Sequence, residues 1–257
     1  MPGLIQRLAA GEPITEPVAL VVAHPDDEVV ALGSRLRCFA DLTLIHLTDG
    51  APRDLRDAQR TGYPDRASYA GARERELQAA LDRLDIAPKR IGYAIPDQET
   101  AHQLPELIER LSRDLRSMAA IFTHPYEHGH PDHDSAALAV ARAAPCQPRF
   151  ECASYHLSEN GPRFGAFWPD PASLEESWTL SSEEQAAKAN AIACFASQGE
   201  TLAQFGLAAE RVRPAPAYDF SRAAPPGRAL YERWGFRGTA ADWRTHAARV
   251  LEPACAA

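Results

Sequence analysis

Val21-Val22-Ala23-His24-Pro25-Asp26-Asp27-Glu28 is the stretch that decides the fold. Residues 17–23 form an apolar run that delivers a histidine and two adjacent carboxylates to its end. Val29, Val30, Leu32, Leu36 and Phe39 then recur at helical spacing. The pattern predicts a strand, a tight turn and a helix. In an open α/β sheet, ligands bind in the crevice beyond the carboxyl ends of the strands, so the polar side chains of this turn arrive where chemistry is done. Capping the helix would need only one small polar residue. This turn carries His24, Asp26, Asp27 and Glu28. Glu28 reads either as a first-turn acid favoured by the helix dipole or as an acceptor for a ligand histidine.

Working outward, residues 42–48 read as a second strand, and the loop at 50–66 holds prolines, glycine and charges. Residues 67–84 form a helix with Leu77, Leu81 and Leu84 on one side, and residues 90–95 a third strand closed by Pro96-Asp97. Residues 104–118 are helical, with Leu107, Leu111 and Leu115 at four-residue intervals. A fourth strand at 119–123 runs into His124-Pro125-Tyr126-Glu127-His128-Gly129-His130-Pro131-Asp132-His133, followed by a helix at 134–144 and a fifth strand at 150–156. This alternation places the chain in the α/β class: a Rossmann-like, mostly parallel sheet with helices on both faces.

Beyond residue 157 the pattern changes. The aromatics of 158–172 read as core packing in a structured loop, with a lid or partner contact as the alternative. Residues 178–180 suggest a short strand and 182–195 a helix capped by Ser181 or Ser182. Residues 214–226 are proline-rich and extended. They lead to a short helical piece at 229–236, whose aromatics read as docking onto the body rather than stacking on sugar. One domain spanning 1–257 is expected, its core in 1–157 and its remainder supplying substrate loops, helices and a C-terminal extension.

With 257 residues, 45% of them hydrophobic, the chain can bury one substantial core. No apolar run reaches eighteen residues and the start lacks a basic leader, so a soluble cytoplasmic protein is expected. A formal charge of −8 without a basic block argues against nucleic-acid and anionic-membrane partners, leaving small neutral or mildly polar molecules. Loop aromatics and the tail could form a subunit contact in a homo-oligomer. The cysteines at 38, 146, 152, 194 and 255 lack CxxC spacing, so neither a disulfide framework nor a thiolate zinc site is indicated.

Four of the nine histidines fall within residues 124–133, at a strand end facing another that carries His24 and Asp27. A divalent metal accounts for this clustering. Two imidazoles and one carboxylate leave coordination positions open for water and substrate, the pattern of a catalytic site. Zinc is the first choice, and ferrous iron accepts the same ligands.

Ala23-His24-Pro25-Asp26-Asp27-Glu28 and His130-Pro131-Asp132-His133 resemble the paired signature motifs of the LmbE-like, or PIG-L, N-acetylglucosaminyl deacetylase family. The resemblance covers about the first 157 residues. It implies that His24, Asp27 and His133 hold zinc, that Asp26 is the general base, and that a protonated His130 stabilises the reacting carbonyl. Asp132 would orient His130 or a neighbouring imidazole. Arg73 resembles the helix arginine that contacts the sugar, and Asp97 the aspartate that binds a sugar hydroxyl, with a salt bridge or turn cap as the competing role of each. Relatives often carry a tyrosine two residues before the second motif. Here His128 stands there, with Tyr126 two residues earlier, so His128 is a substrate-side candidate and either residue a candidate auxiliary acid. The implied activity is metal-dependent removal of acetyl from an N-acetylated amino sugar or sugar conjugate. A thiol-conjugate or other small-amide amidase, and a non-catalytic sugar- or metal-binding module, are the alternatives.

Overall fold

The computed structural model describes residues 3–225 and 227–251; Cys255 lies outside them. In chain order the helices are α1 (Leu4–Ala9), α2 (Asp27–Leu32), α3 (Arg56–Arg60), α4 (Arg66–Arg83), α5 (Leu104–Asp114), α6 (Pro131–Ala143), α7 (Ser182–Ile192), α8 (Gly199–Leu202), α9 (Leu230–Arg233) and α10 (Ala240–Leu251). The strands are β1 (Val18–Val22), β2 (Leu42–Pro52), β3 (Lys89–Asp97), β4 (Ala120–Thr123), β5 (Arg149–Cys152), β6 (Tyr155–Ser158), β7 (Gly161–Phe164), β8 (Glu176–Thr179) and β9 (Ala209–Pro214).

Seven strands form one sheet in the order β3-β2-β1-β4-β5-β9-β8, while β6 and β7 pair as a separate hairpin. The pairs among β3, β2, β1, β4 and β5 are all parallel; β9 runs antiparallel to both β5 and β8. Every residue of β1 is buried, which is why it reads as a continuous apolar run. Its successive side chains feed two cores. Leu20 packs with Leu44, Leu77 and Phe122 on one face, and Val21 packs with Ile45, Leu107, Leu111 and Leu138 on the other.

Because the chain leaves β1 for β2 on one side and returns as β4 on the other, strand order reverses beside β1. The crevice at the carboxyl ends of β1 and β4 is therefore the switch point where such folds bind ligands. Both motifs open at that crevice.

Several elements differ from the sequence reading. The fifth strand breaks at residues 153–154 into β5 and β6, turning the chain across the crevice. A β6–β7 hairpin occupies much of what reads as loop at 158–172, and β9 is a strand that no alternation announced. Helix α6 begins three residues earlier than residue 134, because His130 accepts from the Asp132 N–H as N-cap and Pro131 suits the first helical position. Of the two serines proposed as caps for α7, Ser181 serves, in a reciprocal capping box with Glu184. Among the described residues no helix is long and apolar enough to cross a membrane.

Candidate functional site

The turn after β1 is strained where its acids sit. Asp26 has φ 138° and ψ −29°, a conformation that side-chain-bearing residues rarely adopt. Its carboxylate makes no capping bond. Three contacts hold the turn instead. The Asp26 N–H donates to Glu28 Oε2 at 3.1 Å, Arg73 Nη2 donates to Asp26 Oδ2 at 2.8 Å, and the same Nη2 donates to the Pro25 carbonyl at 2.6 Å. Glu28 Oε2 also lies 3.1 Å from His46 Nε2, so a buried histidine on β2 braces the acid that braces Asp26. Glu28 thus serves the turn's backbone, and His46, which has no motif spacing, was legible only as a structural residue.

Asp27 faces the other way. Its Oδ2 accepts from the His24 N–H at 2.8 Å and lies 3.2 Å from His24 Nδ1, while Oδ1 lies 3.4 Å from His133 Nε2. His133 Nε2 is buried and has no hydrogen-bond partner among the described residues. Burial, with His124 beside it, pushes its imidazole down to about 3 despite the opposing pull of Asp27, which leaves a neutral ring. Its other nitrogen meets Ser154 Oγ at 3.2 Å, so Nε2 is free to offer a lone pair.

These separations test the fit of a metal. Ligands with arms of ~2.0–2.1 Å around a tetrahedral ion stand about 3.3 Å apart. The donor atoms of Asp27 lie 3.2 Å from His24 and 3.4 Å from His133. His24 and His133 therefore flank the Asp27 carboxylate at the spacing of metal ligands, each against a different oxygen. Among the described residues, the sets whose donor atoms all lie close together are His24, His130 and His133; His24, Asp97, His130 and Asp132; and Asp27, His124 and His133. Each of these sets includes a ring nitrogen already in use: His124 Nε2 accepts from the Ala23 N–H at 3.0 Å, and His130 Nδ1 from the Asp132 N–H at 3.2 Å. His124 instead stacks on His133, with centroids 3.7 Å apart, and fixes its plane.

Because its Nδ1 accepts, neutral His130 carries its proton on Nε2, 3.5 Å from Asp97 Oδ1. Burial holds its pKa well below the usual histidine value, with the neighbouring His24 reinforcing the effect. That direction favours a neutral ring, whereas the resemblance implied a protonated one. Asp132 is buried and accepts from Gln98 N, Thr100 N and Thr100 Oγ1. Its Oδ2 lies 3.3 Å from His24 Nε2 and 3.9 Å from His130 Nδ1, so of the two imidazoles it orients His24. Asp97 Oδ1 joins the same His24 nitrogen at 3.1 Å.

Asp26, Asp27, Asp97, Arg73 and His130 all line a cavity of about 310 Å³. Burial, reinforced by Asp27 and opposed by Arg73, pushes the Asp26 carboxyl up to about 7, within the range of a base working near neutrality. Two expectations meet a different geometry. His128 is fully buried away from the cavity, its Nδ1 2.7 Å from Asp134 Oδ2 and its Nε2 accepting from Ala224 N at 3.0 Å. Tyr126 donates its hydroxyl to the Arg222 carbonyl at 2.8 Å. Neither reaches the cavity as an auxiliary acid.

Tyr155 reaches it. It lines the cavity with its ring 5.0 Å from that of His133, and its hydroxyl makes no hydrogen bond to the described residues. Gly129 permits this approach, since a Cβ there would lie 2.0 Å from the Tyr155 carbonyl oxygen. The one sequence signal for Tyr155 was its place on the fifth strand.

Residues 19–144 match the family model described as GlcNAc-PI de-N-acetylase, PIG-L. A probable N-acetyl-alpha-D-glucosaminyl L-malate deacetylase 2 of Bacillus anthracis is 29% identical over 160 residues, which cover 56% of this chain and 70% of that protein. The solved structure of A40926 pseudoaglycone deacetylase Dbv21 superposes with a TM-score of 0.61 at 17% identity, covering 80% of this chain and 100% of that one. GalB, the 4-carboxy-2-hydroxymuconate hydratase of Pseudomonas putida KT2440, superposes at 0.53 with 17% identity, covering 79% of this chain and 97% of that one. The fold therefore hosts more than one reaction, and the activity has to be argued from the site.

Proposed function

We propose that this chain, whose residues 19–144 match the PIG-L family model, is a metal-dependent deacetylase that hydrolyses the acetamide of an N-acetylated amino sugar conjugate, with zinc as the resident ion. The observation that carries this reading is the orphaned His133 Nε2, 3.4 Å from an oxygen of Asp27, which shares one cavity with a separate ionisable acid, Asp26. The names of the relatives supply the amide and the sugar.

His24, Asp27 and His133 hold the ion. Bound there, zinc supplies Lewis acidity and lowers the pKa of water toward ~7. Asp26, kept apart from the ligands by its strained backbone and by Arg73, takes a proton as water attacks the acetamide carbonyl. The Nε2–H of His130 and the free hydroxyl of Tyr155 donate to the oxygen that gains charge; losing one such donor typically costs ~10²–10³ in rate. Asp26 then returns its proton to the departing amine, so acetate and a free amino sugar leave. Asp97 and Asp132 hold His24 in orientation from its far nitrogen. Arg73 serves Asp26 rather than the sugar.

Acetate release from N-acetylglucosamine conjugates, measured on zinc-loaded protein and on Asp26→Asn, tests the proposal. Turnover by the loaded protein and a loss of about 10²–10⁴-fold in the variant are expected. Equal rates in the two proteins would remove Asp26 from the mechanism, and no acetate from any acetamide would remove the activity.

A further inference from the structure

One wall of the cavity comes from chain beyond the family match. Tyr155 on β6, Phe205 after α8, and Trp234 and Phe236 after α9 line it together. Tyr155 lies 5.5 Å from Trp234 and 5.9 Å from Phe205 between ring centroids, and Trp234 lies 6.0 Å from Phe236. Phe236 in turn stands edge-on to His130 at 5.1 Å, so the aromatic surface begins at the second motif and leads outward. Phe205, Trp234 and Phe236 are only half-buried, leaving part of each ring to the cavity. The sequence reading of 229–236 as aromatics docked onto the body captured only part of this role.

The electrostatics of the opposite side narrow what that wall can receive. The cationic side chains lining the cavity are Arg60 and Arg73. Arg73 is bonded to Asp26 and to the Pro25 carbonyl. Arg60 bonds Glu200 at 3.0 Å and Asp57 at 3.2 Å. Arg73 leaves Nε and Nη1 without a hydrogen-bond partner but is buried in an ion pair with Asp26, while Asp97, Asp57 and Glu200 also face the space. An anionic substituent on the sugar would meet five carboxylates, Asp26, Asp27, Asp57, Asp97 and Glu200, against two arginines that are both ion-paired. A neutral aromatic one would cover exposed rings in offset or edge-to-face contact.

We propose that the wall formed by Tyr155, Phe205, Trp234 and Phe236 is a subsite for a neutral aryl aglycone, so that the substrate class is an aryl glycoside of an N-acetylated amino sugar rather than an anionic conjugate. The proposal rests on the deacetylase reading given above for the same cavity.

The test compares zinc-loaded protein acting on phenyl N-acetylglucosaminide and on N-acetylglucosaminyl malate. Acetate release gives kcat/KM, and calorimetry gives the affinity for each deacetylated product. The expected result is a preference of about tenfold or more for the phenyl compound in both measurements, a factor of ten being ~1.4 kcal/mol. Trp234→Ala should shrink that preference, and Trp234→Leu should shrink it less because it keeps apolar bulk. If the alanine variant fails to fold, the leucine variant carries the comparison. Malate turned over or bound as well as phenyl overturns the subsite while leaving the deacetylase reading intact. Should neither compound release acetate, the deacetylase reading fails, and the calorimetric preference alone decides the subsite.

Discussion

Two buried charge clusters in this molecule are built on opposite plans. In one, Asp26, Asp27, Asp97 and Asp132 surround three imidazoles, and the single guanidinium, Arg73, bonds only one of the four carboxylates. In the other, Arg213 sits at the centre. Its Nη2 donates to Glu127 Oε1 at 2.8 Å and its Nε to Glu151 Oε2 at 2.9 Å, while its plane lies 4.1 Å over the Phe167 ring. Tyr218 donates to Glu151 and the Trp168 N–H to Glu127, so the second cluster fastens β9 and the loop after β7 to β5 and to the segment between the two motifs. The first borders a cavity and contains a strained residue, whereas none of Arg213, Glu127 and Glu151 lines that cavity. Both bury comparable chemistry, so burial of charge alone does not mark a site. Unmatched charge beside an accessible void does.

The sharpest way to break this comparison is Arg213→Met. Removing the centre of a matched cluster leaves Glu127 and Glu151 without their cation, which costs about 3–5 kcal/mol of stability. Denaturant unfolding should show that loss, with kcat of the folded protein unchanged. Asp26→Asn should act in the opposite sense. Burial raises the Asp26 pKa to about 7, so the folded state favours the protonated acid. That stabilising contribution is complete below the ordinary aspartate value and is lost as pH rises through 7. In metal-stripped protein the neutral amide should therefore unfold at a higher temperature than the parent at pH 8 and at a similar one near pH 4. A lower melting temperature at pH 8 would mean that Arg73 fully compensates Asp26, and the contrast between the clusters would disappear.

The same contrast explains what is legible in the sequence. Most of the uncompensated cluster comes from two contiguous segments, each delivered by a strand whose apolar run is visible, so His24, Asp26, Asp27, His130 and His133 stand out as residues. The central part of the sheet was legible for the same reason, since β1, β2 and β4 are buried on both faces and bounded by polar turns. Arg213, Glu127, Glu151 and Tyr218 come from segments far apart in the chain and share no spacing, so nothing announces that they meet. β9 was hidden because Ala209-Glu210-Arg211-Val212-Arg213-Pro214 does not alternate apolar with polar residues. Charge flanks Val212 on both sides, and two of the strand's buried side chains, Glu210 and Arg213, are themselves charged. The aromatic wall was hidden for a further reason. Trp234 and Phe236 follow a short helical piece, where exposure to a cavity and packing on a core leave the same sequence trace. His128 illustrates the converse error, since a motif position suggested a role in the cavity that its bonds to Asp134 and Ala224 rule out.

The smallest expected effect concerns the matched cluster itself. Burial raises the Glu151 carboxyl to about 8, even though Arg213 and Tyr218 both favour its ionised form. At neutral pH the cluster therefore sets Arg213 against Glu127, with Glu151 largely protonated beside them. A raised folded-state pKa contributes stability that is complete below the unfolded value, near 4.5, and is lost as pH climbs through 8. Glu151→Gln removes that titration while keeping an acceptor for Arg213 and Tyr218. The melting temperature of the variant should fall less than that of the parent between pH 6 and pH 9, and the two curves should converge toward acid. Parallel curves across that range would show that Glu151 stays ionised throughout, and the second cluster would then carry excess negative charge like the first.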